Sequence, residues 1–164
     1  MIRISKFRFL YFNNKKYKCC LGKKGLTKNK VEGDNKTPIG IYRPIKCYYR
    51  PDRLHKPITK LFCLKIKKNM GWCNDINSKY YNRAIKLPKK RISHEKLFRN
   101  DNLYDIFVVI DYNTKKIIKN KGSAIFLHIC SENYRQTQGC VSVSKKHLLE
   151  ILKKITKKTK IKIG

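Results

Sequence analysis

Two residues with the chemistry of a nucleophile and its base stand twelve positions apart in the last third of the chain. His128 lies in the apolar run Ala124 to Ile129, and Cys140 directly follows Gly139. A thiolate is the reactive form of cysteine, and an adjacent imidazole can take the thiol proton and hold the resulting ion pair. Gly139 removes side-chain bulk beside the sulfur and frees the backbone. The amides of Gly139 and Cys140 are therefore the candidate oxyanion hole. The residues alone leave a second reading open, because histidine on an apolar strand is often a satisfied core residue and cysteine is among the most buried residue types.

The elements that must position this pair are mostly strands. Met1 to Phe9 alternates apolar and basic residues and reads as a first strand. Phe9 and Tyr11 continue the alternation, Asn13-Asn14 offers a turn, and Tyr17 to Leu21 suits a returning strand. Gly22 to Lys36 is a polar loop, after which Thr37 to Tyr42 is extended. Pro44 to Asn102 holds four of the five prolines and reads as irregular, with a short strand at Leu61 to Ile66; so long an excursion suits the cover of a site. Tyr104 to Asp111 is the best buried strand, followed by a turn at Asn113-Thr114, a short strand at Ile117-Ile118 and a strand at Ala124 to Ile129. One helix is predicted, capped by Ser144, with Leu148, Leu149, Ile151, Leu152 and Ile155 on its apolar face. Ile161 and Ile163 close the chain in a last strand. The expected class is a mainly β single domain over residues 1–164 with one prominent helix after Cys140.

Composition narrows the partners. The 164 residues carry 41 Lys plus Arg against 10 Asp plus Glu, a formal charge of +31. Lys outnumbers Arg 32 to 9 and is spread along the chain, whereas phosphate and base readers use Arg forks in clusters. With 20 Ile, 13 Asn and only 2 Ala, the charge reads as the product of an AT-rich coding sequence. No specific nucleic acid is expected, although general association with polyanions stays open. No apolar run approaches the roughly 18 residues of a bilayer span. Nor does the N-terminus read as a secretion signal. The seven cysteines contain no C-x-x-C pair and the four histidines are scattered, so neither metal nor cofactor is expected.

The pattern around the pair, Gly122-Ser123-Ala124-Ile125-Phe126-Leu127-His128-Ile129 and then Thr137-Gln138-Gly139-Cys140-Val141-Ser142, resembles the L,D-transpeptidase catalytic domain family, cysteine enzymes that cross-link bacterial peptidoglycan. Glu32-Gly33-Asp34-Asn35-Lys36-Thr37-Pro38-Ile39-Gly40 is similar to that family's substrate-side strand. Gly71 to Asp75, Tyr81 to Arg83, Ser93 to Glu95 and Leu103 to Asp105 are similar to segments of a compact proteobacterial branch. This chain departs in its short interval from His128 to Cys140, in Gln138 where histidine is usual, and in Ser142 where many members have arginine.

The resemblance implies a β-sandwich of mixed sheets and a two-step acyl transfer. Cys140 would attack the carbonyl before a terminal D-alanine on a peptidoglycan tetrapeptide stem while His128 takes the thiol proton; a second stem's amine would then resolve the thioester into a 3→3 cross-link. The other nitrogen of His128 is expected on a backbone carbonyl, or on Ser123 or Asp105. Trp72, Asp75, Tyr81, Asn82, Arg83 and Ser142 are candidate substrate contacts, each with local structure as its other reading. Water as acceptor would make the site an L,D-carboxypeptidase, and a non-catalytic basic module is the alternative from another class. A monomer is expected. The family works in the cell envelope, and a protein there could pair six cysteines while Cys140 stays reduced.

Overall fold

The computed structural model describes all 164 residues. Strand β1 (Ile2–Ser5) ends in a turn at Lys6 to Arg8, where Arg8 takes φ 63°, and β2 (Phe9–Phe12) returns antiparallel to it. The single first strand predicted from alternation is therefore two. Asn13 and Asn14 follow at φ 47° and 58°, a left-handed pair that asparagine tolerates and a two-residue hairpin loop requires. They lead into β3 (Lys15–Cys20). Short strands β4 (Leu26–Thr27) and β5 (Thr37–Pro38) bracket the polar loop as a parallel pair, and β6 (Gly40–Tyr42) continues the chain.

Residues 44–102 are more ordered than predicted. They supply β7 (Pro44–Tyr49), β8 (Cys63–Lys65), β9 (Met70–Cys73), β10 (Ala84–Lys86) and β11 (His94–Lys96). The last three form a small antiparallel sheet with β9 in the middle. Strands of three or four residues joined by polar loops are too short to display a period of two, which is why the pattern reads as irregular.

Then come β12 (Ile106–Ile110), β13 (Phe126–Ile129), β14 (Val141–Val143), helix α1 (Lys145–Leu152) and β15 (Ile161–Ile163). The strand expected at Ile117-Ile118 does not form. Instead the Asn113 side chain occupies the backbone there, accepting from Ile118 N at 2.8 Å and donating to the carbonyls of Ile118 and Gly122 at 2.9 Å each.

Ten strands form one mixed sheet in the order β6-β15-β1-β2-β3-β14-β13-β12-β7-β8. Ile2, Ile4 and Ile161 from one end meet Cys47, Val108 and Leu127 from the other in one apolar cluster, so the sheet folds over on itself as a sandwich. Helix α1, capped by Ser144 Oγ accepting from His147 N at 3.3 Å, buries Leu148, Ile151 and Leu152 in that cluster. Each such side chain contributes roughly 1.5–3 kcal/mol. The opposite face of β12 and β13 is also covered. Phe107, Val109 and Phe126 point into a second cluster closed by Trp72 of the small sheet. Both faces being buried explains why Ile106–Ile110 is apolar without alternation.

Candidate active site

Strands β13 and β14 run parallel, with Leu127 opposite Val141 and His128 opposite Ser142. Side chains alternate along a strand, so Leu127, Val141 and Val143 enter the large core while Phe126, His128, Cys140 and Ser142 share the other face. Both His128 and Cys140 line an open cleft of about 1240 Å³, whose rim carries charges of both signs.

The turn before Cys140 is tightly specified. Gly139 sits at φ 143°, and a Cβ there would lie 2.9 Å from the Lys36 carbonyl oxygen, so only glycine fits. The Thr137 hydroxyl closes the turn by donating to Cys140 O at 2.6 Å and accepting from Gly139 N at 3.1 Å. Of the two candidate oxyanion-hole amides, Gly139 N–H is thus spent internally. The Cys140 N–H makes no hydrogen bond within the chain.

Cys140 Sγ donates to Ala124 O at 3.0 Å and accepts from Phe126 N at 3.4 Å. Ala124 holds φ 51°, a conformation an alanine adopts only when its surroundings impose it. Asn82 is the anchor: its Oδ1 accepts from Ala124 N at 3.0 Å and from Trp72 Nε1 at 2.9 Å. Its Nδ2 donates to Asn113 O at 2.7 Å. Asn82 therefore sets the carbonyl on which the thiol rests.

His128 Nδ1 faces the Ile129 carbonyl at 2.8 Å, so Nδ1 carries the proton. Of the three orienting groups considered from sequence, the backbone carbonyl holds the ring. Asp105 instead pairs with Arg53 at 2.8 Å, and Ser123 Oγ has no partner. Burial lowers His128 to about 4 and raises the Cys140 thiol to about 12. At rest the two are therefore neutral imidazole and neutral thiol. Desolvation thus works against the ion pair until a substrate enters the cleft.

The structure separates the six candidate substrate contacts. Ser142 lines the cleft, with its buried Oγ unpartnered. Trp72 is buried, packed edge-to-face on Phe126 with ring centroids 5.1 Å apart. Tyr81 is buried and donates to Glu32 Oε2 at 2.5 Å. Asp75 caps a turn by accepting from Asn77 N at 2.9 Å, and Arg83 is exposed away from the cleft. Trp72, Tyr81 and Asp75, like Asn82, make local contacts outside the cleft wall, and Arg83 also lies outside it.

Tyr104 and Glu95 lie in segments that resemble the family, but the sequence assigns neither a role. The Tyr104 hydroxyl donates to Glu95 Oε1 at 2.5 Å, and its ring stands edge-on to His128 with centroids 5.2 Å apart. The available signal was a glutamate, one of ten acids in a strongly basic chain, inside a segment with too little pattern to place it on a strand. No group of three or more His, Cys, Asp or Glu is placed to hold a metal ion, and no helix is long and apolar enough to cross a membrane. All seven cysteines are free thiols.

The fold is thus a mainly β domain of mixed sheets with a single helix, opening one cleft at the His128 strand. The family model of the L,D-transpeptidase catalytic domain (YkuD) matches residues 1–163, and the chain belongs to that family of enzymes. Among solved structures it is similar to Bd1075 of Bdellovibrio bacteriovorus, at 18% identity and TM-score 0.53, with 100% of this chain and 47% of that one covered. It is also similar to the L,D-transpeptidase LdtMt1 in complex with imipenem, at 12% identity and TM-score 0.47, covering 99% of this chain and 57% of that one. Mycobacterium tuberculosis L,D-transpeptidase 1 matches at 11% identity and TM-score 0.42, with 99% and 60% covered. The chain therefore spans about half the length of these neighbours. A search of curated protein sequences finds no match.

Proposed function

We propose that the chain is an L,D-transpeptidase that transfers the acyl group of a peptidoglycan tetrapeptide stem through a thioester on Cys140. The observation that carries this reading is the register of β13 and β14, which sets His128 and Cys140 on one face at a common cleft.

A carbonyl entering beside the unoccupied Cys140 N–H is polarised by that amide. Sγ forms a bond to the carbonyl carbon, and the thiol proton leaves the Ala124 carbonyl for Nε2 of His128. The C–N bond to the terminal D-amino acid then breaks, and His128 passes the proton to the departing amine. An amine of a second stem attacks the thioester, gives a proton to His128, and the proton returns to sulfur as the 3→3 cross-link forms. A neutral resting pair suits this sequence. The imidazole is an unprotonated base across the neutral pH range, and charge develops only as the bond forms.

Purified disaccharide-tetrapeptide monomers incubated with the protein are expected to yield 3→3 dimers and free D-alanine. Cys140→Ala should lower that yield by about 10³-fold or more. Trimmed tripeptide monomers without dimers would make water the acceptor and the protein an L,D-carboxypeptidase. No product of either kind from folded protein, together with salt-sensitive DNA binding, would replace the enzyme with a basic binding module.

A further inference from the structure

The acyl-transfer steps leave the developing oxyanion with a single donor. Gly139 N–H is spent on the Thr137 hydroxyl at 3.1 Å, so of the two candidate amides only Cys140 N–H is free. One amide is a sparse partner for a full negative charge in a site that excludes water. A cation stands beside the same turn. Lys30, in the polar loop between β4 and β5, is only 4% exposed, and it lines the cleft.

Two glycines make room for this one side chain. A Cβ on Gly122 would lie 2.7 Å from Lys30 Cγ and 3.0 Å from Cε, so the stem crosses the space that a larger residue would fill. The tip ends at the catalytic turn, with Nζ 3.6 Å from where a Cβ on Gly139 would stand. An ammonium has three protons to donate. One goes to Val31 O at 3.1 Å and one to Asp34 Oδ1, and the third has no acceptor in the chain. Asp34 is itself fixed, accepting from Val31 N at 3.0 Å and Lys36 N at 2.8 Å. The cation is therefore held in place with one donor unspent.

We propose that Lys30 is a catalytic residue, the second oxyanion donor, which holds the substrate's carbonyl oxygen together with the Cys140 amide. The proposal rests on the reading of Cys140 as the nucleophile. As Sγ bonds to the carbonyl carbon, the π pair moves onto oxygen, the thiol proton goes to His128, and Lys30 keeps its own proton. When the C–N bond breaks, the pair returns and the carbonyl re-forms as the thioester. A neutral carbonyl gains little from the ammonium, whereas the oxyanion gains a charge-assisted hydrogen bond. The contribution thus falls on the transition state and appears in kcat. Because Asp34 and Val31 place the ammonium before substrate arrives, no reorganisation is needed at the moment of reaction.

The test is D-alanine release from disaccharide-tetrapeptide, measured across substrate concentrations. Lys30→Met keeps an apolar stem over Gly122 and removes the ammonium. It should lower kcat by about 10²–10³-fold and leave KM within about threefold. An unchanged kcat overturns the proposal. So does a raised KM with kcat retained, which would make Lys30 a holder of the substrate's carboxylate in the ground state. A crystal structure of the wild-type protein acylated by imipenem, whose β-lactam carbonyl a cysteine opens to a thioester, tests the same point whether or not the variant folds. The acyl oxygen is expected about 3 Å from both Lys30 Nζ and Cys140 N, and an oxygen turned away from Nζ overturns the proposal. Each of these overturning results leaves the thioester reading standing. A folded wild-type protein that neither releases D-alanine nor carries an adduct on Cys140 overturns both.

Discussion

The two faces of β13 differ sharply. Leu127 and Ile129 point into a cluster of 24 buried residues in which nearly every group is apolar. Phe126 and His128, one residue out of step, point into a cluster of 10 that borders Glu95, Ser123 and Ser142. The first face is a stability device that tolerates polar groups badly. The second keeps aromatic mass around groups that would be costly in any core, including two serine hydroxyls with no partner in the chain. A single strand therefore separates the part of the molecule that holds it folded from the part that faces the cleft, and a period of two is the whole mechanism of separation.

The sharpest way to break this contrast is on the core side. Leu127→Ala removes a side chain 1% exposed and should cost about 3 kcal/mol in urea unfolding, while leaving the alkylation rate of Cys140 in the folded protein unchanged. A large fall in that rate would mean that the two faces are not independent.

A second effect of similar size comes from pH. His128 titrates at about 4 in the folded chain, against an ordinary value of 6.5, so the unfolded chain takes the proton first. Its contribution to stability is full above pH 6.5 and is lost as pH falls toward 4, by up to about 3 kcal/mol. Unfolding free energies measured across pH 4 to 7 should show this slope, and His128→Gln should flatten it.

The smallest effect belongs to Ser142→Ala. Deleting a buried hydroxyl with no hydrogen bond should change stability by less than about 0.5 kcal/mol, or raise it slightly. Destabilisation by about 2 kcal/mol would show that the hydroxyl has a partner after all.

Legibility followed element length. Helix α1, the apolar run of β12 and the Asn13-Asn14 turn each announce themselves within a single window, by period, by composition or by a residue that tolerates a left-handed backbone. His128, Gly139 and Cys140 stand out by residue type, and the structure brings all three to one cleft. The small sheet β10-β9-β11 was not legible, because three-residue strands carry no period and are defined by partners far along the chain. Tyr104 and Glu95 were hidden for the same reason, since their pairing depends on where β11 lands. Asn82 carries a positioning contact that its residue type does not announce. A polar side chain near a site reads as a substrate contact, and only coordinates show it spending its bonds on Trp72, Ala124 and Asn113.

The parallel register of β13 and β14 has a further consequence for how such a domain can change. Because hydrogen bonds between the strands fix the alignment of His128 with the residues that follow Cys140, the connecting residues 130–136 do not set that spacing. That connection, whose residues 131–133, 135 and 136 line the cleft, can lose or gain residues and reshape its mouth without disturbing the register beneath. The shape of the opening and the alignment of the strands are thus set by separate parts of the chain.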